Sequence, residues 1–201
     1  ILILASIYSS GQYSDFTITC KGKRFQVHKA IVCPRSGFFA AALRTDFKEA
    51  CEGIVDLSSD DLGIVEIIIH YFYHLDYELL PQRCHADTGT NEFEQPLCLS
   101  THAKVYSLAE KYVITGLKAL ALEKFKTATS KHWETHDLLG AAKEAYASTL
   151  ETDRELKNAV VRAFYARSKL LEHKEVQELF QELHALAYDL LMYVSLEKRT
   201  F

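Results

Sequence analysis

Four residues near the middle of the chain offer the most legible chemistry: Cys84, His85, Cys98 and His102. Two thiolates and two imidazoles are the donor types structural zinc prefers. Their spacing, an adjacent Cys84-His85 and then Cys98-x-x-x-His102, is not that of a zinc finger, and sequence neighbours ligate one metal only with strain. His70/His74 and His132/His136 stand at helical spacing, but neither pair encloses the Glu of a His-Glu-x-x-His metalloprotease. No Gly-rich phosphate loop is present, and the Ser, His and Asp residues form no nucleophile elbow. The residues therefore predict no enzyme, no cofactor and no metal. A metal-binding or enzymatic protein centred on the Cys84/His85/Cys98/His102 loop is the alternative.

Composition points the same way. The chain has 201 residues, 48% hydrophobic and 25% charged, which suits one large or two small globular domains. With a net charge of −4 and no long Lys/Arg run, it lacks the electrostatic footprint of a nucleic-acid binder. The opening Ile1-Leu2-Ile3-Leu4-Ala5 is too short to span a membrane, and no signal-peptide pattern accompanies it. The start at Ile1 reads as that of a fragment. Five cysteines, odd in number and without framework spacing, predict reduced thiols and an intracellular protein, in cytoplasm or nucleus.

The elements that must position any site follow from the apolar pattern. Phe16, Ile18 and Cys20 alternate with threonines, Lys21-Gly22-Lys23 supplies a turn, and Phe25 and Val27 resume the alternation, so residues 16–28 predict a β-hairpin. A helical segment at 29–33 is interrupted by Pro34, and Ser36 caps the next helix. Residues 53–57 predict a short strand. Ser58 and Asp61 stand at capping-box spacing before a helix running to about His74, which is apolar nearly all round and so belongs inside a domain. Residues 81–98, with Pro81, Gly89 and Pro96, predict a long loop. Helices follow near 100–112, 115–128, 135–148, 153–168 and 174–195. In the last, Val176, Leu179, Phe180, Leu183, Leu186, Leu190 and Val194 share one face.

Several phrases together resemble the BTB/POZ domain: Tyr13-Ser14-Asp15-Phe16, Val27-His28-Lys29-Ala30, Phe47-Lys48-Glu49-Ala50, Val55-Asp56-Leu57 and Tyr71-Phe72-Tyr73-His74-Leu75-Asp76-Tyr77. Cys33-Pro34-Arg35-Ser36 is similar to the family's fungal branch. The resemblance implies an α+β BTB/POZ fold at residues 1–128 and an all-α extension at 129–201. Two departures stand out: His74-Leu75 replaces the family's usual Thr-Gly, and 81–98 looks like an insertion.

What the resemblance implies for function is protein–protein interaction: a homodimer that assembles complexes and serves as a substrate adaptor of a cullin-type ubiquitin ligase, with no nucleic acid and no membrane. It puts Ile3, Leu4, Ile7 and Tyr8 at the dimer interface, with Asp15 and Lys29 as a charged pair in its groove. It assigns Phe47, Lys48 and Glu49, with His74, Leu75 and Asp76, to contact with the cullin scaffold.

Overall fold

The computed structural model describes residues 2–44, 47–77, 98–131 and 135–197. Their contacts gather into two compact units, Ile1–Pro96 with Leu108–Leu120, and Leu97–Ser107 with Ala121–Phe201.

The first unit is α+β. It runs α1 (Leu2–Ser10), β1 (Phe16–Cys20), β2 (Lys23–Val27), α2 (Lys29–Val32), α3 (Gly37–Ala42), α4 (Lys48–Glu52), β3 (Ile54–Asp56) and α5 (Leu62–His74). The end of α6 (Leu99–Lys111) and the start of α7 (Thr115–Ser130) complete it. The strands lie in the order β2-β1-β3, with β1 antiparallel to β2 and parallel to β3. The expected hairpin is present: Lys21 and Gly22 both adopt positive φ, the geometry of a tight turn whose twist suits the strands. Register sets Ile18 beside Phe25 on one side and Val55 on the other, so one apolar face is continuous across the sheet.

Pro34 breaks the helix after α2 into a 3₁₀ turn, Cys33–Arg35. Ser36 then caps α3, accepting from the Phe39 N–H at 3.2 Å while its own hydroxyl donates to the Tyr112 carbonyl at 2.7 Å. One serine thus fixes a helix start and ties it to the turn between α6 and α7. The adjoining Gly37 N–H donates to the Val113 carbonyl at 3.1 Å, and a Cβ on Gly37 would stand 3.0 Å from Val113 Cγ1.

Helix α5 behaves as its sequence demands. Ile64, Val65, Ile67, Ile68, Ile69, Tyr71, Phe72 and Tyr73 are all buried. Its cap differs from the expected box: Asp61 alone accepts from the Gly63 and Ile64 N–H groups, at 2.9 and 3.2 Å. Ser58 is held elsewhere, its hydroxyl donating to Asp56 at 2.5 Å and accepting from the Lys21 N–H at 3.1 Å.

The second unit is helical. The first part of α6 and the rest of α7 join α8 (Thr135–Ser148), α9 (Glu155–Ala166), α10 (Lys174–Glu182) and α11 (His184–Glu197). Asp137 on α8 caps α6 from a distance, accepting from the Leu99 and Ser100 N–H groups at 2.6 and 2.9 Å. Lys157, buried on α9, donates to the carbonyls of Thr149 and Leu150 just past the end of α8. A cation there meets the negative end of the helix dipole. The single helix expected over 174–195 is instead two. The break falls at Leu183, whose backbone (φ −108°, ψ 73°) leaves the helical region without help from Gly or Pro. Val176 and Leu179 of α10 and Leu186 and Leu190 of α11 are buried. Tertiary packing of two short faces overrides a continuous periodic pattern. The expected 81–98 loop lies, apart from Cys98, outside the described residues.

Tyr73 holds a buried polar junction. Its hydroxyl accepts from the His28 N–H at 3.1 Å and lies 2.8 Å from His28 Nδ1, while His28 Nε2 lies 2.7 Å from the Gln12 carbonyl. A carbonyl only accepts, so Nε2 carries the proton and Nδ1 receives the Tyr73 O–H. Burial pushes the Tyr73 pKa up to about 12, keeping that donor proton in place. Tyr73→Phe strands two His28 groups, and we expect a loss of about 1–3 kcal/mol in urea unfolding at neutral pH.

Candidate functional site

Asp15 and Lys29 come together, but through the backbone. Asp15 Oδ1 accepts from the Lys29 N–H at 2.8 Å. This caps α2, whose own N-cap, His28, offers no side-chain acceptor. Asp15 is exposed and Lys29 half-buried, and the described ion pairs include none between the two side chains. In the single chain this aspartate is a local helix cap.

On α1, Leu4, Ile7 and Tyr8 are half-buried, and the Ile3 side chain lies outside the described set. Tyr8 stacks on Tyr73 of α5 at 4.8 Å between ring centroids and meets His74 edge-on at 5.9 Å. Part of the N-terminal stripe is thus spent on its own chain.

Phe47 is the N-cap of α4, in extended backbone, and its side chain is 53% exposed. Its backbone carbonyl accepts from Ala50 and Cys51, so a short helix fixes the aromatic in place. Glu49 is half-buried, and Lys48 forms an exposed i,i+4 pair with Glu52. Gly53 ends α4 with φ 66°.

The other expected partner segment ends α5. Leu75 is the C-cap, left-handed at φ 60° and 48% exposed. That geometry is one that glycine suits: a Cβ is disfavoured in the left-handed region. His70 is buried, its Nδ1 2.9 Å from the Asp76 carbonyl; His74 Nδ1 is 3.0 Å from the His70 carbonyl. The two imidazoles stack at 3.8 Å, nearly parallel. Burial holds the His70 pKa below the ordinary histidine value, and a charge on His74 pushes the same way.

The metal alternative gains nothing. Cys84 and His85 lie outside the described residues. Cys98 is placed at the start of α6, its sulfur 3.1 Å from Ser100 Oγ and 3.0 Å from Thr101 Oγ1. His102 is buried. Among the described residues no three His, Cys, Asp or Glu side chains converge as a metal would need. No described helix is long and apolar enough to cross a membrane.

Residues 4–129 match the BTB/POZ domain family, and the chain belongs to it. The module this family defines is one of protein–protein interaction. The chain is 27% identical over 62 residues to the Kelch repeat and BTB domain-containing protein 4 of Homo sapiens and to that of Mus musculus. Those matches take in 31% of this chain and only 12% of each relative. The BTB (Tramtrack and Bric a brac) domain of human Gigaxonin is similar at 18% identity and a TM-score of 0.43, over 61% of this chain and 86% of that one.

Sequence reasoning missed one exposed stripe. Tyr188, Leu191, Met192 and Leu196 of α11 all face solvent, at 42–63% exposure. Helix α11 is apolar on two sides, and periodicity alone cannot tell which side a neighbour covers.

Two outcomes follow from the end of α5. Leu75→Gly should stabilise the fold by about 1 kcal/mol in urea unfolding, because it removes a left-handed Cβ while giving up little burial. His70 has a folded pKa below its unfolded one, so its contribution is complete above the ordinary histidine value of about 6.5 and declines as pH falls below it. The urea midpoint should drop between about pH 7.5 and about pH 5.5, and drop less in His70→Gln.

Proposed function

We propose that this chain homodimerises and serves as a substrate adaptor of a cullin-type ubiquitin ligase, with Phe47 as the anchor on the scaffold. The observation that carries the reading is the exposure of Phe47. A large aromatic held at a helix N-cap and facing solvent is available to a partner, and such residues supply most of the energy at interfaces. Glu49, two residues on, stands ready to accept hydrogen bonds beside it, and Lys48 sits on the exposed rim. His74, Leu75 and Asp76 add a second contact, where the half-exposed Leu75 offers apolar surface. The dimer is formed through Ile3, Leu4, Ile7 and Tyr8, with Asp15 and Lys29 in its groove. The BTB/POZ domain spans 1–128, a division supported by the family match ending at residue 129, and the extension 129–201 widens the contact with partners. The exposed apolar stripe of α11 suits that task.

Two measurements test this reading. Light scattering at tens of micromolar should give the mass of two chains, and a single-chain mass overturns the dimer. Phe47→Ala should weaken binding to purified cullin scaffold by about thirtyfold or more, the equivalent of losing a 2 kcal/mol anchor, with the dimer intact. No binding of the unaltered chain at high micromolar concentration removes the adaptor role.

A further inference from the structure

The helical unit holds a cluster of cations that the BTB/POZ reading does not use. Between the end of α7 and α9 lies a solvent-open cleft of about 260 Å³. Ala159, Ala163 and Ala166, at helical spacing on α9, leave room for it. Around them stand Lys126, Arg162 and Arg167, with Thr129 and Ser130 beside Lys126, and among the described residues no carboxylate lines the cleft. Three formal positive charges in one concavity are notable in a chain whose net charge is −4.

The guanidinium groups are held rather than loose. Arg167 Nη2 donates to the Lys131 carbonyl at 3.0 Å. Arg162 meets the Tyr193 hydroxyl, which Glu197 also approaches. Among the described residues neither Lys126 nor Arg162 sits in an ion pair with a carboxylate. The C-terminal carbonyls of α7, which would repel an anion, are partly occupied: Thr129 Oγ1 donates to Lys126 O and Ser130 Oγ to Thr127 O, both at 2.7 Å. Planar guanidinium forks match the oxygens of a phosphate monoester, and a lysine adds a point charge. The volume is below the roughly 300–1,000 Å³ of pockets that enclose a drug-sized ligand, so the cleft suits one anionic group presented from outside.

We infer that this cleft receives a phosphorylated serine or threonine side chain of a partner segment. The open side lets a peptide chain run across while the phosphate reaches Lys126 and Arg162, with the held Arg167 adding its charge beside them. This site is independent of the adaptor reading and stands or falls separately.

The test uses the full chain and a fluorescein-labelled seven-residue alanine peptide with one central phosphoserine, followed by anisotropy at low salt. The phosphopeptide should bind at least about tenfold more tightly than its unphosphorylated twin, as loss of a charge-assisted contact implies. Lys126→Gln with Arg162→Gln should abolish that preference while the protein stays folded, with at most a small shift of the thermal midpoint from the lost Tyr193 contact, since both residues are exposed. Ala166→Glu, at another exposed position, should do the same by placing a carboxylate in the cleft. Equal affinity for the two peptides, or an unchanged preference in these folded variants, overturns the proposal. Displacement of the peptide by an equal concentration of inorganic phosphate would assign the cleft to free phosphate and overturn the peptide reading.

Discussion

Helix α5 is apolar nearly all round, and water must be kept from almost all of it, Glu66 and His74 apart. Burying each of its large side chains is worth about 1.5–3 kcal/mol, so no other element gains as much from being covered. The first unit is arranged accordingly. Tyr73 takes the stacked ring of Tyr8 from α1, and Phe72 meets Phe39 of α3 at 6.0 Å. Phe39 in turn lies against Phe16 of β1 and Tyr112 beyond α6. One chain of aromatic contacts thus links the sheet, the N-terminal helix and the end of α6 to a single buried rod.

Such a core leaves little tolerance for unmatched polar groups, and the described ones are matched with economy. His28, Tyr73 and Gln12 form a closed set in which each donor has one acceptor. Tyr112, its pKa raised by burial and by its bond to Asp60, keeps its hydroxyl proton and donates it to that carboxylate, which Lys111 also pairs at 2.6 Å. In the second unit the Tyr106 hydroxyl lies 2.7 and 2.9 Å from the two oxygens of buried Asp153, and Lys157 quiets the end of α8. Among the described residues no buried side-chain nitrogen or oxygen lacks a partner. The groups left exposed stand at the surface: Phe47, Leu75, the α11 stripe and the cations of the α7–α9 cleft.

Leu75 shows how a surface and a stability question meet. A left-handed C-cap is a place for glycine, and leucine there costs about 1–2 kcal/mol of backbone strain. The same substitution turns a bare helix end into an exposed apolar contact. A partner that buries Leu75 would recover part of that cost, whereas a chain with no such partner would do better with glycine.

Much of this was determined by the sequence alone. Alternation across Phe16–Val27 dictated the hairpin, because a strand repeats every two residues. Lys21-Gly22 dictated its turn, Pro34 the interruption after α2, and Ser36 the cap of α3. An apolar run from Leu62 to Tyr73 left α5 no place but the interior. These are local rules, and local residues suffice to apply them. Tertiary structure decided the rest. Whether Ser58 or Asp61 capped α5 depended on Ser58 being claimed by Asp56 and Lys21, and the split at Leu183 on which faces of α10 and α11 found neighbours. Asp15 became a cap for α2 because the hairpin brings it within 2.8 Å of the Lys29 N–H. Lys126 lies far in sequence from Arg162 and Arg167, and only the approach of α7 to α9 gathers their charges into one cleft.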